Sequence, residues 1–296
     1  MSYNILITGG SGFIGKNFIN FIQKKKEFKI ISISRFKKKN KSNLKWLKTD
    51  FGSLSKKKVD KIKKFEPKVV IHLGWQDIPN FSSRVCKTNL IKSKLFLNEV
   101  FKLKSVEKII ITGTCNEYLT KKGRVKENLS LLDNKNFFSR SKIELYNFVK
   151  KNCEKKNIVF YWLRLFYVYG PNQRSQSLVP YLFEKIFNNL SFKINKPQKN
   201  LDFINIEDVV KIIEKFVTKK FNKGIYNIGT GKKLSVAEIY NYIAIGILKK
   251  KLKKLKVTKK DFFISDNKKI KNILPKYNFL TYKKGLQNYF AWYLKN

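Results

Sequence analysis

Short apolar runs alternate with segments of helical periodicity along the first half of the chain. The apolar runs predict strands at residues 3–7, 28–34, 44–47, 68–73, 108–112 and 158–165. Apolar side chains spaced three and four positions apart predict helices at residues 13–26, 53–64, 82–102 and 139–151. Strands that alternate with helices form a parallel sheet that is covered on both faces. The first half of the sequence therefore predicts a doubly wound α/β domain.

The pattern changes after residue 170, where Gly170 and Pro171 interrupt it. Helical periodicity returns at residues 178–187, 206–217, 236–248 and 283–293, and brief strands are predicted at 191–194 and 225–228. We interpret residues 1–170 as the main domain. Residues 171–296 are interpreted as a smaller lobe that covers a substrate, with segments that can interleave with the main domain.

A glycine-rich turn joins the first predicted strand to the first predicted helix. It reads Thr-Gly-Gly-Ser-Gly-Phe-Ile-Gly, with glycines at positions 9, 12 and 15. Such glycines permit a tight turn, a close approach of the backbone to a pyrophosphate and close packing of helix on strand. The N–H groups and the dipole of the new helix then face an anion. An ordinary turn is the alternative, but the strand–turn–helix context favours a dinucleotide site in a Rossmann-type fold.

Composition limits the classes of partner. The net charge is +45, but only six of the 65 basic residues are arginine, and the lysines are spread over the whole length. Lysine is the weaker residue for bidentate recognition of phosphates and bases, so a solvated lysine coat is a better interpretation than nucleic-acid binding. The basic run at residues 249–260 contains no aromatic residue and is also interpreted as solvated surface.

Cysteine usage and hydropathy limit the classes further. The three cysteines show no CxxC pattern, which argues against both a disulfide framework and a metal site. No apolar run reaches the roughly 18 residues of a membrane span. These features predict a soluble cytoplasmic protein without a metal, membrane or nucleic-acid partner.

Five motifs follow one another along the chain. They are the glycine turn, Val-Ile-His-Leu at 70–73, Leu-Arg-Leu-Phe-Tyr-Val-Tyr-Gly-Pro at 163–171, Asp-Phe-Ile with Glu-Asp-Val at 202–209, and Tyr-Asn-Ile-Gly-Thr-Gly at 226–231. Together they resemble the NAD-dependent epimerase/dehydratase family, the extended short-chain dehydrogenases that act on nucleotide sugars. The resemblance implies a Rossmann domain with a smaller C-terminal substrate-binding lobe, a nucleotide-diphosphate sugar as substrate, and a homodimer.

The end of the second predicted strand bears on the choice of coenzyme. NAD enzymes place an acidic residue there for the ribose hydroxyls, whereas NADP enzymes accommodate a 2′-phosphate with arginine. This chain has Ser34 and Arg35, followed by three lysines. A guanidinium can bind the phosphate and no carboxylate repels it, so the sequence favours NADP, with NAD as the alternative.

The resemblance implies the remaining coenzyme contacts. Besides Gly9, Gly12 and Gly15, the corresponding positions are Phe13 and Ile14 in the turn, Asp50 and Phe51 beside the adenine, Leu73, Gly74 and Trp75 along the pyrophosphate and ribose, Asn89, Lys142 and Phe166. Gly74 stands where relatives usually carry alanine. His72, the only histidine, corresponds to a structural position on a buried strand.

The resemblance also implies a chemical centre. The family uses a hydroxyl residue after the fifth strand and a Tyr-x-x-x-Lys pair on the next helix. The lysine holds the ribose, and its charge lowers the tyrosine pKa so that the phenol can exchange a proton with a sugar hydroxyl. Thr114 corresponds to the hydroxyl residue and Lys142 to the lysine, but Phe138 stands at the tyrosine position.

Three interpretations of Phe138 remain open. A substitute proton carrier can serve, with Lys142, Cys115, Glu117 or a bound water as candidates. Alternatively, the protein is slow or inactive and only binds coenzyme or sugar nucleotide. In the third interpretation the helical register differs, although Tyr146 lies four residues after Lys142 rather than four before it. We favour the first, because the rest of the apparatus is intact.

Reaction type and substrate contacts follow from the same resemblance. Dehydratases of the family continue with an Asp-Glu pair where this chain has Cys115 and Asn116, which disfavours dehydration. The predicted substrate contacts are Trp75, Gln76, Thr114, Tyr167 and Arg174, and aromatic packing is the alternative for Trp75 and Tyr167. The resemblance thus implies a 4-keto reductase or epimerase in surface polysaccharide synthesis, or a non-catalytic binding protein derived from one.

Overall fold

The computed structural model of the chain describes residues 2–128 and 130–296. These form two compact units. The first comprises Met1–Leu119, Leu131–Arg164 and Val210–Tyr226, and the second comprises Thr120–Ser130, Leu165–Val209 and Asn227–Asn296. Across the described ranges, none of the helices combines the length and apolar character needed to span a membrane.

Strands and helices are numbered here in chain order. The strands are β1 (Tyr3–Thr8), β2 (Phe28–Ser34), β3 (Leu44–Lys48), β4 (Val69–His72), β5 (Lys108–Thr114), β6 (Gly123–Val125), β7 (Val159–Leu165), β8 (Tyr167–Tyr169), β9 (Asn200–Leu201), β10 (Phe203–Asn205), β11 (Gly224–Ile228), β12 (Leu234–Ser235) and β13 (Phe262–Ser265). The α-helices are α1 (Phe13–Ile22), α2 (Lys56–Phe65), α3 (Ser83–Phe101), α4 (Phe137–Lys156), α5 (Leu178–Phe187), α6 (Ile206–Thr218), α7 (Val236–Asn241), α8 (Lys268–Ile273) and α9 (Tyr282–Tyr293).

A seven-stranded sheet organises the first unit. Its strand order is β11-β7-β5-β4-β1-β2-β3, and β1 pairs in parallel with both β2 and β4. The pairs β2–β3 and β4–β5 are parallel as well. The predicted α/β fold with a doubly wound parallel sheet is therefore confirmed. The order reverses between β1 and β4, and folds of this kind bind ligands outside the carboxyl ends of the strands at such a point.

Helices cover both faces of this sheet. Successive side chains of a strand point to opposite faces, so two neighbouring residues of β7 show both contacts. On β7, Trp162 joins a buried cluster with Phe96 and Leu97 of α3 and Leu145 of α4. The preceding residue, Tyr161, packs against Phe216 of α6 with ring centroids 4.7 Å apart. Each such fully buried side chain contributes about 1.5–3 kcal/mol relative to an exposed one.

The second unit is built from short strands and a buried carboxylate. Its sheets have the orders β12-β9-β13-β6 and β10-β8. The Asp202 carboxylate is completely buried and accepts hydrogen bonds from Thr230 N (2.7 Å), Gly231 N (3.0 Å) and Ser265 N (3.0 Å). Burial nevertheless raises the pKa of Asp202. Two of the motifs that pointed to the family, at 202–209 and 226–231, thus hold this unit together.

Several element predictions need correction. Residues 191–194 form no strand, and the helix expected at 236–248 ends at Asn241, after which Tyr242–Ile247 forms a π-helical turn. The strands β6, β8, β9, β10, β12 and β13 were not predicted, because each is only two to four residues long and is stabilised by pairing with distant segments. The basic run at 249–260 is irregular and mostly exposed.

Candidate functional site

In the glycine turn between β1 and α1, two of the three predicted glycines, Gly9 and Gly15, leave no room for a side chain. Gly9 has φ +74°, and a Cβ there would lie 2.7 Å from Gly74 N. A Cβ on Gly15 would lie 2.2 Å from Gly9 O, so the helix could not approach the turn as closely. Gly12 N donates to Gly9 O at 3.0 Å and closes the turn. The local chain path is therefore fixed by the absence of side chains.

Helix α1 begins at this turn with its amino end uncapped. Gly12 is the N-cap residue and supplies no side-chain hydrogen bond, and the first helical turn contains no acidic residue. A Cβ on Gly12 would meet only Gly9 O, at 3.3 Å. The first N–H groups of a helix have no intrahelical acceptor, and here they include those of Phe13 and Ile14. The turn thus fits the pyrophosphate of a dinucleotide, by its backbone donors and the helix dipole.

The neighbouring edge of the sheet carries the residues predicted to select the coenzyme. Ser34 ends β2 and is buried, and its Oγ accepts a hydrogen bond from Phe36 N at 3.2 Å. Arg35 is exposed, with its guanidinium 5.8 Å from the Phe36 ring centroid. The serine is thus used by the local turn, and the arginine is accessible to a ligand at the carboxyl end of β2.

Asp50 lies after β3 and is already paired. Its carboxylate accepts hydrogen bonds from Lys92 Nζ (2.6 Å), Gln76 Nε2 (3.0 Å) and Gly52 N (2.8 Å). Burial acts to raise the pKa of Asp50, but these bonds together lower it. The following Phe51 is buried in the core, where its ring meets that of His72 edge-on at 5.3 Å. The side chain of Phe51 therefore packs in the core beneath this edge of the sheet, against His72.

The loop after β4 is held by Asn89 of α3. Asn89 Oδ1 accepts from Gln76 N at 2.6 Å, and Asn89 Nδ2 donates to Gln76 O at 3.1 Å. The Gln76 side chain also accepts from Lys92 Nζ at 3.2 Å. Asn89 and Gln76 were predicted to contact coenzyme and sugar, and here Asn89 fixes the backbone of the loop at Gln76.

His72 and Gly74 complete the inner wall of this edge. His72 Nδ1 bonds Thr8 Oγ1 at 2.6 Å and its Nε2 bonds Ser93 Oγ at 3.0 Å. Burial, and then the charge of Lys142, lower the pKa of His72 to about 3, so the ring is neutral, as its predicted structural role requires. Leu73 N donates to Thr8 O at 3.1 Å. A Cβ on Gly74 would lie 2.9 Å from the Phe51 ring, which explains glycine at this position.

Lys142 lies in an enclosed position beside Trp75. Its side chain is buried, its Nζ donates to Thr112 O at 3.0 Å, and the ammonium lies 4.2 Å from the centroid of the Trp75 ring. Burial lowers the pKa of Lys142 to about 8, against the opposing effects of Glu117 and then Cys86. The lysine is thus a weakened base at the carboxyl end of β5.

Phe138 belongs to the same cluster. One helical turn before Lys142, its buried ring stacks on Phe81 with centroids 4.4 Å apart and meets Trp75 edge-on at 5.4 Å. Its centroid is 6.0 Å from Lys142 Nζ. Tyr146 instead packs edge-on against Trp162 at 5.5 Å, on the core side of α4. The structure therefore groups Phe138, Lys142 and Trp75, as the helical spacing predicts for the first two.

Thr114 ends β5 and caps a 3₁₀ turn at Cys115–Glu117. Thr114 Oγ1 accepts from Asn116 N at 3.2 Å, and Thr114 N donates to Glu117 Oε1 at 2.8 Å. Glu117 is completely buried and also accepts from Arg164 Nε (2.6 Å) and Trp162 Nε1 (3.1 Å). Arg164 is also buried. Glu117 thus anchors Thr114 and is committed to three donors.

Three predicted site residues belong to the second unit. Phe166 is buried with its ring 5.7 Å from that of Phe263, and Tyr167 packs 5.7 Å from Phe203. Arg174 is exposed on the turn before α5, where its carbonyl accepts from Ser177 N at 3.0 Å. Within that unit, aromatic packing accounts for the rings of Phe166 and Tyr167.

Sequence reasoning missed some of the residues that shape the site in the first unit. Lys92 carried a usable signal, because it lies three positions after Asn89 on α3 and therefore on the same side of the helix. Phe81 and Cys86 carried no signal in the sequence that would have assigned them to the site. Phe81 precedes the helix, and Cys86 affects the pKa of Lys142 only through the packing of α3 against α4.

Comparisons with known proteins agree with this architecture. The model of the "NAD dependent epimerase/dehydratase family" matches residues 5–229. The dTDP-6-deoxy-L-talose 4-dehydrogenase (NAD(+)) of Aggregatibacter actinomycetemcomitans is 26% identical over 291 residues, which cover 93% of this chain and 94% of that protein. The dTDP-4-dehydro-6-deoxyglucose reductase of Escherichia coli is 25% identical over 265 residues, covering 83% and 82%.

A solved structure shows the same fold. The UDP-glucuronic acid 4-epimerase from Bacillus cereus, in complex with UDP-glucuronic acid and NAD, aligns with a TM-score of 0.84 at 21% identity, and the alignment covers 99% of each chain. Because the family model matches residues 5–229, this chain belongs to the NAD-dependent epimerase/dehydratase family, whose members are nucleotide-sugar epimerases, dehydratases and reductases. The family predicted from the sequence motifs is confirmed.

Proposed function

We propose that this protein is a cytoplasmic, NADP-dependent 4-keto reductase or epimerase of a nucleotide-diphosphate sugar, which supplies surface polysaccharide synthesis. The observation that carries the proposal is the enclosed position of Lys142 against Trp75 and Thr112, beside Thr114 at the carboxyl end of β5. Burial of a cation costs free energy unless the cation is paired and hydrogen-bonded, so a buried lysine with a single carbonyl acceptor has a use for further partners. At this edge of a Rossmann sheet, that use is contact with coenzyme and substrate.

The type of reaction follows from which acids are present. Cys115 and Asn116 occupy the positions at which dehydratases of the family carry an acidic pair, and Glu117 is committed to Arg164, Trp162 and Thr114. Water elimination therefore lacks its acid and base. Oxidation or reduction at C4 remains, and the names of the two relatives described above, a 4-dehydrogenase and a 4-dehydro-sugar reductase, are of this kind.

Each part of the site then has a defined task. The turn at Gly9–Gly15 and the amino end of α1 bind the pyrophosphate, and Lys142 binds the nicotinamide ribose. Thr114 Oγ1 already accepts from Asn116 N, which leaves its O–H to orient a sugar oxygen. When bound, the nicotinamide supplies or accepts a hydride at the sugar carbon.

NADP is proposed over NAD because of Arg35. The guanidinium is exposed at the end of β2, and the carboxylate that would hold the ribose hydroxyls is replaced by Ser34. A charge-assisted hydrogen bond to a 2′-phosphate stabilises NADP selectively. A reductase draws reduced coenzyme from the cellular pool, so this choice also favours reduction over epimerisation.

The rival proposal is a protein that binds sugar nucleotide without turning it over. The observation in its favour is Phe138, whose buried ring is packed on Phe81 and cannot carry a proton. Loss of a general acid or base typically lowers a rate by about 10² to 10⁴. On this alternative, Lys142 binds the ribose and does no chemistry.

Oxidation of NADPH and NADH with a panel of nucleotide 4-keto sugars, and product analysis with plain nucleotide sugars, separates the two proposals. Turnover by the wild-type protein supports the enzyme. Micromolar binding without turnover, with activity appearing in Phe138→Tyr, supports the binder. The matched control is Phe137→Tyr, which adds the same hydroxyl to the adjacent, 42% exposed ring. Failure of every variant to bind or convert any nucleotide sugar refutes both.

A further inference from the structure

We propose that Lys142, held on the face of Trp75, is the proton-transfer group of this enzyme and takes over the task of the tyrosine that Phe138 replaces. The inference rests on the proposed function, because it concerns a sugar carbonyl or hydroxyl bound beside Thr114. It assigns to one side chain both the contact with the ribose and the delivery of the proton.

The geometry around Lys142 is that of a restrained ammonium group. One direction is taken by the carbonyl of Thr112, at 3.0 Å, and another by the Trp75 ring, at 4.2 Å. An ammonium group carries three donors, so donors remain for a ligand after the bond to Thr112. Contact with a tryptophan face is the most favourable form of cation–π interaction and needs no carboxylate. Within residues 2–128 and 130–296, Lys142 is therefore positioned without an ion pair that would neutralise it.

Trp75 supplies a second, independent sign of a ligand. Its indole Nε1 is buried, and no hydrogen-bond acceptor for it is found among the described residues. A buried N–H donor without an acceptor costs about 1–3 kcal/mol. Such a donor beside Lys142 fits an oxygen-rich ligand, such as a sugar or ribose. Trp75 is thus the positioning residue of Lys142 and offers a donor to the same ligand.

The carboxylate of Glu117 and the imidazole of His72, which interact electrostatically with Lys142, are both occupied. Glu117 is completely buried and bonded by three donors, so its oxygens face the protein interior. Both ring nitrogens of His72 are hydrogen-bonded within the protein, and its lowered pKa keeps it neutral. Neither group is free to exchange a proton with a sugar.

Thiols and phenols near the cluster are poor substitutes. Burial raises the pKa of Cys86, so it stays a neutral thiol. Tyr146 packs against Trp162 on the core side of α4, and burial raises its pKa. Cys115 is buried at the start of the 3₁₀ turn and remains as the rival that the experiment must test.

The proton step is balanced for reduction of a 4-keto sugar. An N–H bond of the Lys142 ammonium breaks, its electron pair stays on nitrogen, and an O–H bond forms on the carbonyl oxygen. The carbonyl carbon is reduced by a hydride from the reduced nicotinamide coenzyme, which becomes oxidised. The neutral amine then regains a proton from water. Burial lowers the pKa of Lys142 to about 8, which makes it a stronger acid than an ordinary lysine at neutral pH.

The first test is a titration that does not depend on activity. In protein labelled with ¹³C at lysine Cε, we expect the signal that is lost in Lys142→Met to titrate near pH 8. Lys108 is the matched control, a half-buried lysine whose role is structural. Burial also lowers its pKa to about 8, but its Nζ caps α6 by donating to the carbonyls of Phe216, Val217 and Lys219. A Lys142 signal that titrates above pH 10 overturns the inference.

The second test separates charge from proton donation. Lys142→Arg keeps a cation for Trp75 and for the ribose but cannot release a proton, since the pKa of arginine exceeds about 12. We expect its turnover to fall by about 10² to 10⁴ while its coenzyme Kd stays within about threefold. Adding Phe138→Tyr to this variant should raise its turnover by about tenfold or more, because the tyrosine phenol replaces the lost proton donor. Lys108→Arg should keep wild-type turnover.

Two results overturn the inference even when the enzyme is active. One is a Lys142→Arg variant that keeps more than about a tenth of wild-type turnover, well above the loss expected for a missing general acid. The other is a loss of that expected size in Cys115→Ala. For reduction, kcat/KM of the wild type should fall above pH 8, where Lys142 loses its proton. Absence of turnover with every sugar and variant refutes the proposed function, and this inference falls with it. A Lys142 pKa above 10 in an active enzyme overturns the inference alone.

Discussion

Replacing Glu117 by glutamine should destabilise the protein strongly, because it breaks a completely buried ion pair. The side chains of Glu117 and Arg164 are 0% and 1% exposed, and Arg164 Nε lies 2.6 Å from Glu117 Oε2. Glutamine has nearly the same shape but carries no charge. Its single carbonyl oxygen must also serve donors on Arg164, Trp162 and Thr114, while its NH₂ group meets at least one of them.

The expected magnitude is large relative to the stability of a domain. Removing one partner of a buried pair costs about 3–5 kcal/mol, mostly because the other charge is left without compensation. Typical unfolding free energies are about 5–15 kcal/mol. Glu117→Gln should therefore remove at least about a fifth of the unfolding free energy of a typical domain. Turnover should also fall, because Glu117 holds the backbone N–H of Thr114.

Urea unfolding followed by tryptophan fluorescence measures this loss. The control is Glu144→Gln, which breaks the ion pair of Glu144 with Lys94, a pair of the same 2.6 Å length whose side chains are 54% and 31% exposed. Exposed pairs contribute less than about 1 kcal/mol. In the Arg164→Met background, Glu117→Gln should cost at least about 1 kcal/mol less than in the wild type, because no guanidinium is left unpaired. Equal losses for Glu117→Gln and Glu144→Gln would refute the reasoning.

Three further predictions follow from the site. His72 has a folded pKa of about 3 and an unfolded pKa near 6.5, so the unfolded chain binds the extra proton first and stability falls as the pH drops below 6.5. Between pH 7 and pH 5 the unfolding free energy should fall by about 2 kcal/mol, as measured by urea titration. The unfolding free energy of His72→Gln should depend correspondingly less on pH. Equal pH dependence in both proteins contradicts the lowered pKa of His72. Gly15→Ala should lose both stability and coenzyme binding, because its Cβ meets Gly9 O. Gly12→Ala should keep the wild-type melting temperature and lose only coenzyme binding, as measured by calorimetry. Normal coenzyme binding by Gly12→Ala would exclude the turn as a pyrophosphate site. Arg35→Ala should raise the Kd for NADPH by about tenfold or more and leave the Kd for NADH within about twofold. An equal change in both Kd values would reject a contact between Arg35 and the 2′-phosphate.

The sequence by itself determined the main sheet and the helices that cover it. Successive buried apolar residues occur in β1 (Ile5, Leu6 and Ile7) and in β4 (Val69, Val70 and Ile71), as expected for a sheet that is buried on both faces. The turn at Gly9–Gly15 could be recognised because backbone geometry depends on neighbouring residues alone. Likewise, Phe138 and Lys142 were predicted to share one side of a helix, since residues four apart on a helix are neighbours.

Tertiary structure alone decided what the buried polar groups do. Glu117 was a candidate proton carrier in the sequence, but the fold places its carboxylate in the 3₁₀ turn after β5 against Arg164 of β7. Asn89 and Gln76 were predicted as ligand contacts, and the fold adds that Asn89 hydrogen-bonds the Gln76 backbone and holds the loop after β4. The ammonium of Lys142 meets the Trp75 ring only because α4 packs near the end of β4. Such contacts join residues far apart in sequence, and their free energies depend on burial and distance, which no local pattern encodes.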